Sequence, residues 1–510
     1  MRRALFAAIF PLPLLIAGCV SDDNAAPSGA DSGPVAEDAG PTLDSTVESE
    51  ASTPDAGPDA TAADSAVPDA AVDATPLPVT LTVTNDEGPE QGVLVVFQDA
   101  TGTVITTATT DATGRVTQQL AADSQVTAVL GTVVSPALVT IQGVQPGDAL
   151  TAFDTAHLAF ANTSVTIDAL PDAAPPGTSG YQAYVGNCPQ NGSGFTAPPT
   201  TFGGIAWPCV AAGKAPLLVA SIGSTDGGSN QELGYTYEKG NALLADGGAT
   251  PISPTVPWAS AETTQTLSAQ NVTSGSSGWL SFSEIAGGVA LSNLMNFGGG
   301  SSADGGPLSE TNGFVGHPGY AEAVQGEATV YEYLQSFQFD AIRSIAAHSG
   351  APDGSTALPA LDLSSVLPEI TASSIDTTDA GTPSRPVVSW TSAASLATTD
   401  GIVSVTQWSV ASPDAGPTTN GTWTIVSPPT ATSVVPPSLP AGLGTWTINN
   451  TVPLVVAVEA SFIAGYAQLR ATFAALPPTQ SLLSDNHSTV VPPLPVDGTL
   501  RLTAVTQAGD

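Results

Sequence analysis

Basic residues are scarce in this 510-residue sequence. It contains 9 lysines and arginines and 4 histidines against 46 aspartates and glutamates, which gives a formal net charge of −37 at pH 7. Such a chain is repelled by phosphate backbones and by anionic lipid headgroups. The composition therefore excludes nucleic acid as a partner, and we expect the charge to keep the protein soluble.

Sequence motifs of catalysis are also absent. The chain has no GxSxG, SxxK, HExxH, P-loop or GxGxxG segment. Its four histidines, His157, His317, His348 and His487, are far apart and lack metal-ligand spacing. We therefore predict no catalytic residue, no metal site and no cofactor. His317, in "GFVGHPGY", is the first candidate for a ligand or base in a rigid exposed loop, and the alternative is a loop histidine without a partner.

Long apolar runs are missing, and the first nineteen residues contain the nearest approach to one. Arg2 and Arg3 precede the apolar segment 4–16, which is too short to cross a bilayer of about 30 Å. The segment ends in Ile-Ala-Gly-Cys, which resembles the lipobox of bacterial lipoproteins. The resemblance implies that residues 1–18 are a signal peptide and that Cys19 is acylated. An ordinary secretory signal with an incidental cysteine is the alternative.

Acyl chains on Cys19 would make the lipid bilayer a partner of this protein. Several acyl chains anchor a protein stably in a membrane, whereas a single chain binds only marginally. We expect a lipid-anchored protein of the cell envelope. An aspartate after the acylated cysteine favours retention of lipoproteins in the inner membrane. Val20 stands at that position here, which favours the outer membrane over the inner membrane.

Only two further cysteines, Cys188 and Cys209, are present. An exported protein meets an oxidising compartment, so this pair predicts one disulfide across a loop rich in glycine and proline. A metal pair or a reactive thiol is the alternative. Neither has the neighbours it needs, because no histidine is near and no CxxC spacing occurs.

Residues 19–78 are predicted to be a disordered tether. From Val20 to Pro78 the segment has no basic or aromatic residue and is rich in alanine, aspartate and proline. Its acidic residues repel one another and its prolines block helices, so it cannot build a core. We interpret this segment as a spacer between the lipid and the folded domains. The alternative is an acidic segment that attracts a cation or a basic partner.

The first folded unit is predicted over residues 79–152. Val79, Leu81 and Val83 alternate with threonines, as a half-buried strand requires. Short strands follow through turns, including one at 111–114 within "TDATG". This pattern resembles the carboxypeptidase regulatory-like and bacterial Ig-like modules. The resemblance implies a small antiparallel β-sandwich with an accessory role, and no site residue.

The last unit is predicted over residues 374–510. Trp390, Trp408 and Trp423 lie at the centres of strand-like runs, where large aromatic residues fill a sandwich core. The runs "VPLVVAVEAS" and "GYAQLRATFAAL" complete about seven strands. The arrangement resembles a fibronectin type III domain, although the tyrosine corner of that family is absent.

The middle region, residues 153–373, has no resemblance to a known module. Its apolar residues alternate with a period of two, and we predict one elaborate β domain or two small ones. Tyr235 and Tyr237 are candidates for a sugar-binding platform, and packing of a half-buried strand explains the pair equally well. The acidic loops "TNDEGPEQG" and "SADGG" are candidates for a calcium site with oxygen ligands, although neither forms a full EF-hand or RTX repeat.

The sequence as a whole predicts an all-β protein in which several antiparallel β-sandwich domains follow a disordered tether in tandem. Two function classes remain. The first is a non-enzymatic envelope lipoprotein that displays these domains for adhesion, for glycan binding, or for scaffolding through assembly with other envelope proteins. The second is an exported hydrolase with its active site in the middle region.

Overall fold

The described part of the molecule lies within one compact unit, Asp73–Asp510. The computed structural model describes residues 77–131, 136–155, 157, 163–186, 193–205, 209–211, 213–224, 231–244, 248–260, 263–272, 277–298, 308–332, 341–349, 358–377, 385–410, 419–441, 443, 452–472 and 493–506. The predicted signal peptide 1–18, Cys19 and almost all of the predicted tether 19–78 lie outside these ranges.

Strand is nearly the only secondary structure of the described residues, which confirms the all-β prediction. In chain order the strands are β1 (Val79–Thr84), β2 (Leu94–Gln98), β3 (Val104–Thr109), β4 (Arg115–Gln118), β5 (Ser124–Gly131), β6 (Pro136–Val144), β7 (Ala149–Phe153), β8 (Thr163–Ile167), β9 (Thr178–Val185), β10 (Ser193–Phe195), β11 (Thr200–Ile205), β12 (Lys214–Gly223), β13 (Gln231–Ala242), β14 (Ala249–Ile252), β15 (Thr263–Val272), β16 (Ser277–Ala286), β17 (Val289–Gly298), β18 (Leu308–Gly316), β19 (Ala323–Glu332), β20 (Ala341–Ser349), β21 (Leu361–Asp362), β22 (Ile370–Asp376), β23 (Val387–Ser392), β24 (Gly401–Val410), β25 (Thr419–Ser427), β26 (Ser433–Val434), β27 (Val452–Ala460) and β28 (Thr499–Thr506).

Two helical segments interrupt the strands of the described ranges: a 3-10 helix at Leu363–Ser365 and α1 (Tyr466–Thr472). The helix α1 lies where the sequence predicted a strand in "GYAQLRATFAAL", so that prediction is wrong. Leu469 and Arg470 of α1 are buried and Tyr466 packs against the core, and this spacing follows one face of a helix. A period of 3.6 therefore fits the segment better than the period of two.

The largest sheet has twelve strands in the order β17-β16-β19-β20-β28-β27-β24-β25-β6-β5-β2-β3. Its strands come from all three of the predicted folded units. Strand β6 of the first predicted unit pairs in parallel with β25 of the last unit. Strand β20 of the middle unit pairs with β28 of the last unit. The three units thus share one sheet.

The central part of this sheet is buried on both faces. Along β27, Leu454, Val456 and Val458 enter one core, while Val455 and Ala457 enter another. The sheet β4-β1-β7 contributes to the first core and the sheet β22-β23-β26 contributes to the second. Burial on both faces explains why "VPLVVAVEA" is a continuous apolar run rather than an alternating one.

The middle region adds one small core and two larger cores. One of the larger cores lies between the sheets β11-β8-β14 and β10-β9-β12-β13, and includes Ile167 and Leu217. The other lies between β18-β15-β21 and the part of the large sheet formed by β16, β19 and β20, and includes Leu267 and Phe282. Paired sheets are therefore present throughout the described parts of residues 163–363, where the sequence predicted a β-rich domain.

Two identical tetrapeptides, Asp-Ala-Thr-Gly, make the same turn twice. Asp99 Oδ1 accepts hydrogen bonds from the backbone N–H groups two and four residues later, at 2.8 and 2.9 Å. Asp111 Oδ1 accepts the equivalent bonds at 2.7 and 3.1 Å. Gly102 and Gly114 end the two turns with φ of 80° and 69°, a conformation that favours glycine. The turn predicted at 111–114 is thereby confirmed.

Candidate functional site

His317 lies between two carboxylates that come from different sheets. It follows β18, and its Nδ1 lies 2.5 Å from Glu284 Oε2 of β16, while its Nε2 lies 2.9 Å from Glu232 Oε1 of β13. The backbone N–H of His317 also donates to Glu284 Oε1. Both ring nitrogens are engaged, so the ring presents no free base in this arrangement.

The His317 residue is buried, with 4 % of its surface exposed. Burial by itself lowers the pKa of the imidazole, but the hydrogen bonds and negative charges of Glu232 and Glu284 outweigh burial and raise that pKa to about 9. The side chain is therefore an imidazolium at neutral pH. The sequence predicted a rigid exposed loop here, and that prediction is wrong because the loop is covered by the neighbouring sheet. The alternative, a histidine without a partner, is wrong too.

Aromatic residues surround this ion triad and belong to a small core between the two sheets. The ring of Tyr235 meets His317 edge-on at 4.9 Å, and the Tyr235 and Tyr237 rings stack at 6.2 Å between centroids. Tyr320 is fully buried. Because Tyr235 is 4 % exposed, packing explains the tyrosine pair better than a sugar platform. The triad holds β13 against β16.

The other residues singled out in the sequence are placed unevenly. Cys209 is buried and disulfide-bonded. Cys188 lies outside the described residues, so its pairing with Cys209 stays a prediction. The His348 side chain, His487 and the "SADGG" loop also lie outside the described residues.

An open groove of about 610 Å³ lies at one end of the sheet β22-β23-β26. Two segments form its walls, the residues at and after the end of β23 and the turn between β25 and β26. None of its lining residues is titratable; five carry hydroxyl groups and five are apolar: Trp390, Thr391, Ser392, Ser395, Leu396, Ala397, Pro429, Thr430, Ala431 and Thr432.

The groove has an apolar floor and polar rims. Trp390 is 5 % exposed and belongs to the core beneath the groove. The Thr391 hydroxyl lies 3.0 Å from that of Thr371, and Ser392 Oγ donates to the carbonyl of Ala394 at 2.6 Å. The sequence predicted the buried tryptophan but not the groove, since its walls are distant in the chain and contain no motif.

Glu90, Asp154 and His157 form a second polar cluster, at the end of the parallel pair β1–β7. His157 Nδ1 lies 2.6 Å from Asp154 Oδ2 and 3.5 Å from Glu90 Oε1. Burial, and then the nearby charge of Asp154, raise the pKa of the Glu90 carboxyl to about 7. Glu90 belongs to the "TNDEGPEQG" loop that the sequence indicated. Its two partners were missed because they lie more than sixty residues further along the chain.

No family model matches this chain, and no curated protein matches it. Among solved structures it is similar to the Bacillus anthracis TIE protein, with 10 % sequence identity and a TM-score of 0.15. The match covers 52 % of this chain and 46 % of that chain, so this chain spans less than half the length of the TIE protein. A TM-score of this size carries no information about function. In the described ranges, no helix combines the length and the apolar character that a bilayer span needs.

Proposed function

We propose that this protein is a lipid-anchored protein of the cell envelope that binds a neutral glycan in the groove beside Trp390 and does not catalyse a reaction. The observation that carries the proposal is the lining of the groove, which combines hydroxyl groups with apolar surface and contains no titratable side chain. Ligand sites are commonly concave and largely apolar, with a few polar groups that set orientation.

A sugar ring matches this lining on both counts. Its hydroxyl groups exchange hydrogen bonds with serine and threonine hydroxyls, which both donate and accept. Its C–H faces pack on apolar side chains that the groove leaves accessible, such as Ala397 and Pro429. The charge of −37 disfavours an anionic polymer, because the protein field repels it.

In this proposal the membrane anchor is Cys19, which is acylated as the lipobox-like segment implies. The acidic tether would then keep the β domains away from the membrane surface, and Val20 favours the outer membrane over the inner membrane. Incorporation of radiolabelled palmitate into the native chain, and its loss in Cys19→Ala, are the expected results. Equal retention of both chains in the membrane fraction, without label in either, would overturn the anchor.

Glycan binding is tested with the purified full chain and a panel of neutral and acidic oligosaccharides, followed by calorimetry. Ala397→Trp and Thr430→Trp fill the groove from its two walls and should weaken binding at least tenfold. Ala393→Trp is the matched control, since this exposed residue lies in the same loop but does not line the groove. It should bind like the native chain.

Three outcomes of that experiment would overturn the proposal. Equal affinity of the native chain and both groove variants for the glycan would show that the glycan does not bind in the groove. Absence of binding to every oligosaccharide of the panel would overturn the glycan as the class of ligand. Cleavage of a panel oligosaccharide would show a hydrolase.

A further inference from the structure

The cluster of Glu90, Asp154 and His157 is built on the last residues of β1. The backbone N–H of Glu90 donates to the Val83 carbonyl at 3.0 Å, and that of Asp154 donates to the Thr84 carbonyl at 2.8 Å. These bonds bring the β1–β2 loop and the end of β7 to the same point. The carboxylates are thus positioned by the sheet.

The neighbouring loop fixes the third member of the cluster. Asn85 Oδ1 accepts hydrogen bonds from the backbone N–H groups of Glu87 and Gly88, and Asn85 Nδ2 donates to the His157 carbonyl at 3.3 Å. The backbone N–H of His157 donates to Asp154 Oδ1 at 3.2 Å. The imidazole is therefore directed at the two carboxylates.

The donor atoms have the separation of a metal-ligand set. One nitrogen or oxygen of each residue lies within 4.8 Å of those of the other two. Nitrogen and oxygen ligands bind Zn²⁺ at about 2.0–2.2 Å in a tetrahedral arrangement, so donors of one ion lie roughly 3–4 Å apart. The 3.5 Å between His157 Nδ1 and Glu90 Oε1 fits this range. The shorter contact to Asp154 is the hydrogen bond that an ion would replace.

A second observation concerns the carboxylate of Glu90 alone. Its Oε2 is buried and has no hydrogen-bond partner. The neighbouring Asp154 is fully buried. A buried carboxylate oxygen without a partner is costly, and a coordinated cation satisfies it. Two carboxylates and a neutral imidazole also balance the charge of a divalent ion.

We propose that Glu90, Asp154 and His157 bind one divalent transition-metal ion, with Zn²⁺ as the best match. The imidazole decides the class of ion, since Ca²⁺ and Mg²⁺ take oxygen ligands whereas imidazole suits zinc and its neighbours. Three protein ligands leave one position of a tetrahedral ion to water. The ion ties the end of β7 to the β1–β2 loop.

The test uses the full chain without a histidine tag, treated with a chelator and titrated with ZnCl₂ by calorimetry. We expect one equivalent of Zn²⁺ to bind and the melting temperature to rise, because an ion that binds the folded state stabilises it. Glu90→Gln and His157→Ala should each weaken Zn²⁺ binding at least tenfold. His157 is partly exposed, so its replacement is compatible with folding.

Glu87→Gln is the matched control. It makes the same substitution in the same loop, on an exposed side chain, and should leave Zn²⁺ affinity unchanged. The proposal is overturned if the native chain binds no Zn²⁺, or if Glu90→Gln and His157→Ala bind it as the native chain does. Displacement of Zn²⁺ by an equal concentration of Ca²⁺ would overturn the assigned class of ion.

Discussion

Trp423 Nε1 donates a hydrogen bond to Thr140 Oγ1 at 2.9 Å, between residues that are 283 positions apart in the chain. Both side chains are buried. The bond crosses the parallel pair β6–β25, where strands of the first and the last predicted units meet. A polar bond inside an apolar core fixes which strand pairs with which, because a misplaced partner leaves a buried N–H group unsatisfied.

Replacing Thr140 by valine tests the importance of this bond. The substitution keeps the shape of the side chain but leaves the Trp423 N–H group buried and unpaired, and it also removes the bond between Thr140 and Thr127. We expect the free energy of unfolding to fall by about 1–3 kcal/mol in a denaturant titration. Thr424→Val, on a half-buried side chain of the same strand pair, should change it by less than about 0.5 kcal/mol. Equal losses in both variants would contradict the prediction.

The ion pair of Arg470 and Asp148 connects α1 to the turn before β7. The guanidinium makes two bonds, at 2.7 and 3.0 Å, and both side chains are largely buried. Arg470→Met leaves Asp148 without its partner, and we expect a loss of about 2–3 kcal/mol in the free energy of unfolding. Arg501 and Glu459 form a pair that is about one-third exposed, so Arg501→Met should lose less than about 1 kcal/mol. A larger loss of stability in Arg501→Met than in Arg470→Met would refute this prediction.

The His317 triad makes stability depend on pH. The pKa of His317 is about 9 in the folded protein, above its ordinary value of 6.5. The folded state therefore binds the proton more tightly, so the stabilisation is complete below pH 6.5 and is lost as the pH rises towards 9. The loss is of order 3 kcal/mol, and Glu232 and Glu284 are the charges that cause it.

Denaturant titrations of the native chain at pH 6 and pH 9.5 measure this loss. His317→Gln removes the titrating group and should be less stable than the native chain at pH 6, with a smaller change between the two pH values. If the free energy of unfolding of His317→Gln changed between the two pH values as much as that of the native chain, other groups would cause the pH dependence. Tyr235 faces the triad, and burial raises the pKa of its hydroxyl, so it stays neutral through this range.

The disulfide prediction is tested by counting thiols. In the denatured native chain with Cys19 acylated, we expect no free thiol, whereas Cys188→Ser should release one thiol at Cys209. The free energy of unfolding should fall by about 3 kcal/mol, because closing this loop restricts the unfolded chain. Two free thiols in the native chain would refute the pairing.

The sequence by itself determined the local features of this protein. Val79, Leu81 and Val83 predicted β1 because alternation alone decides which face of a strand is buried. Asp111 and Gly114 predicted their turn because its hydrogen bonds close within four residues. Where the period was weak, as at Tyr466 in α1, the sequence failed, because packing on a sheet decided between helix and strand.

Only the tertiary structure decided the rest, since those contacts join residues that are distant in the chain. The apolar run of β27 predicted a strand but not its two cores, which required sheets from both ends of the molecule. His317 became an imidazolium because β13 and β16 placed carboxylates on both sides of it. Glu90 and Asp154 meet because β1 and β7 pair in parallel. The pairing of strands, which no local pattern encodes, therefore formed both the His317 triad and the cluster of Glu90, Asp154 and His157.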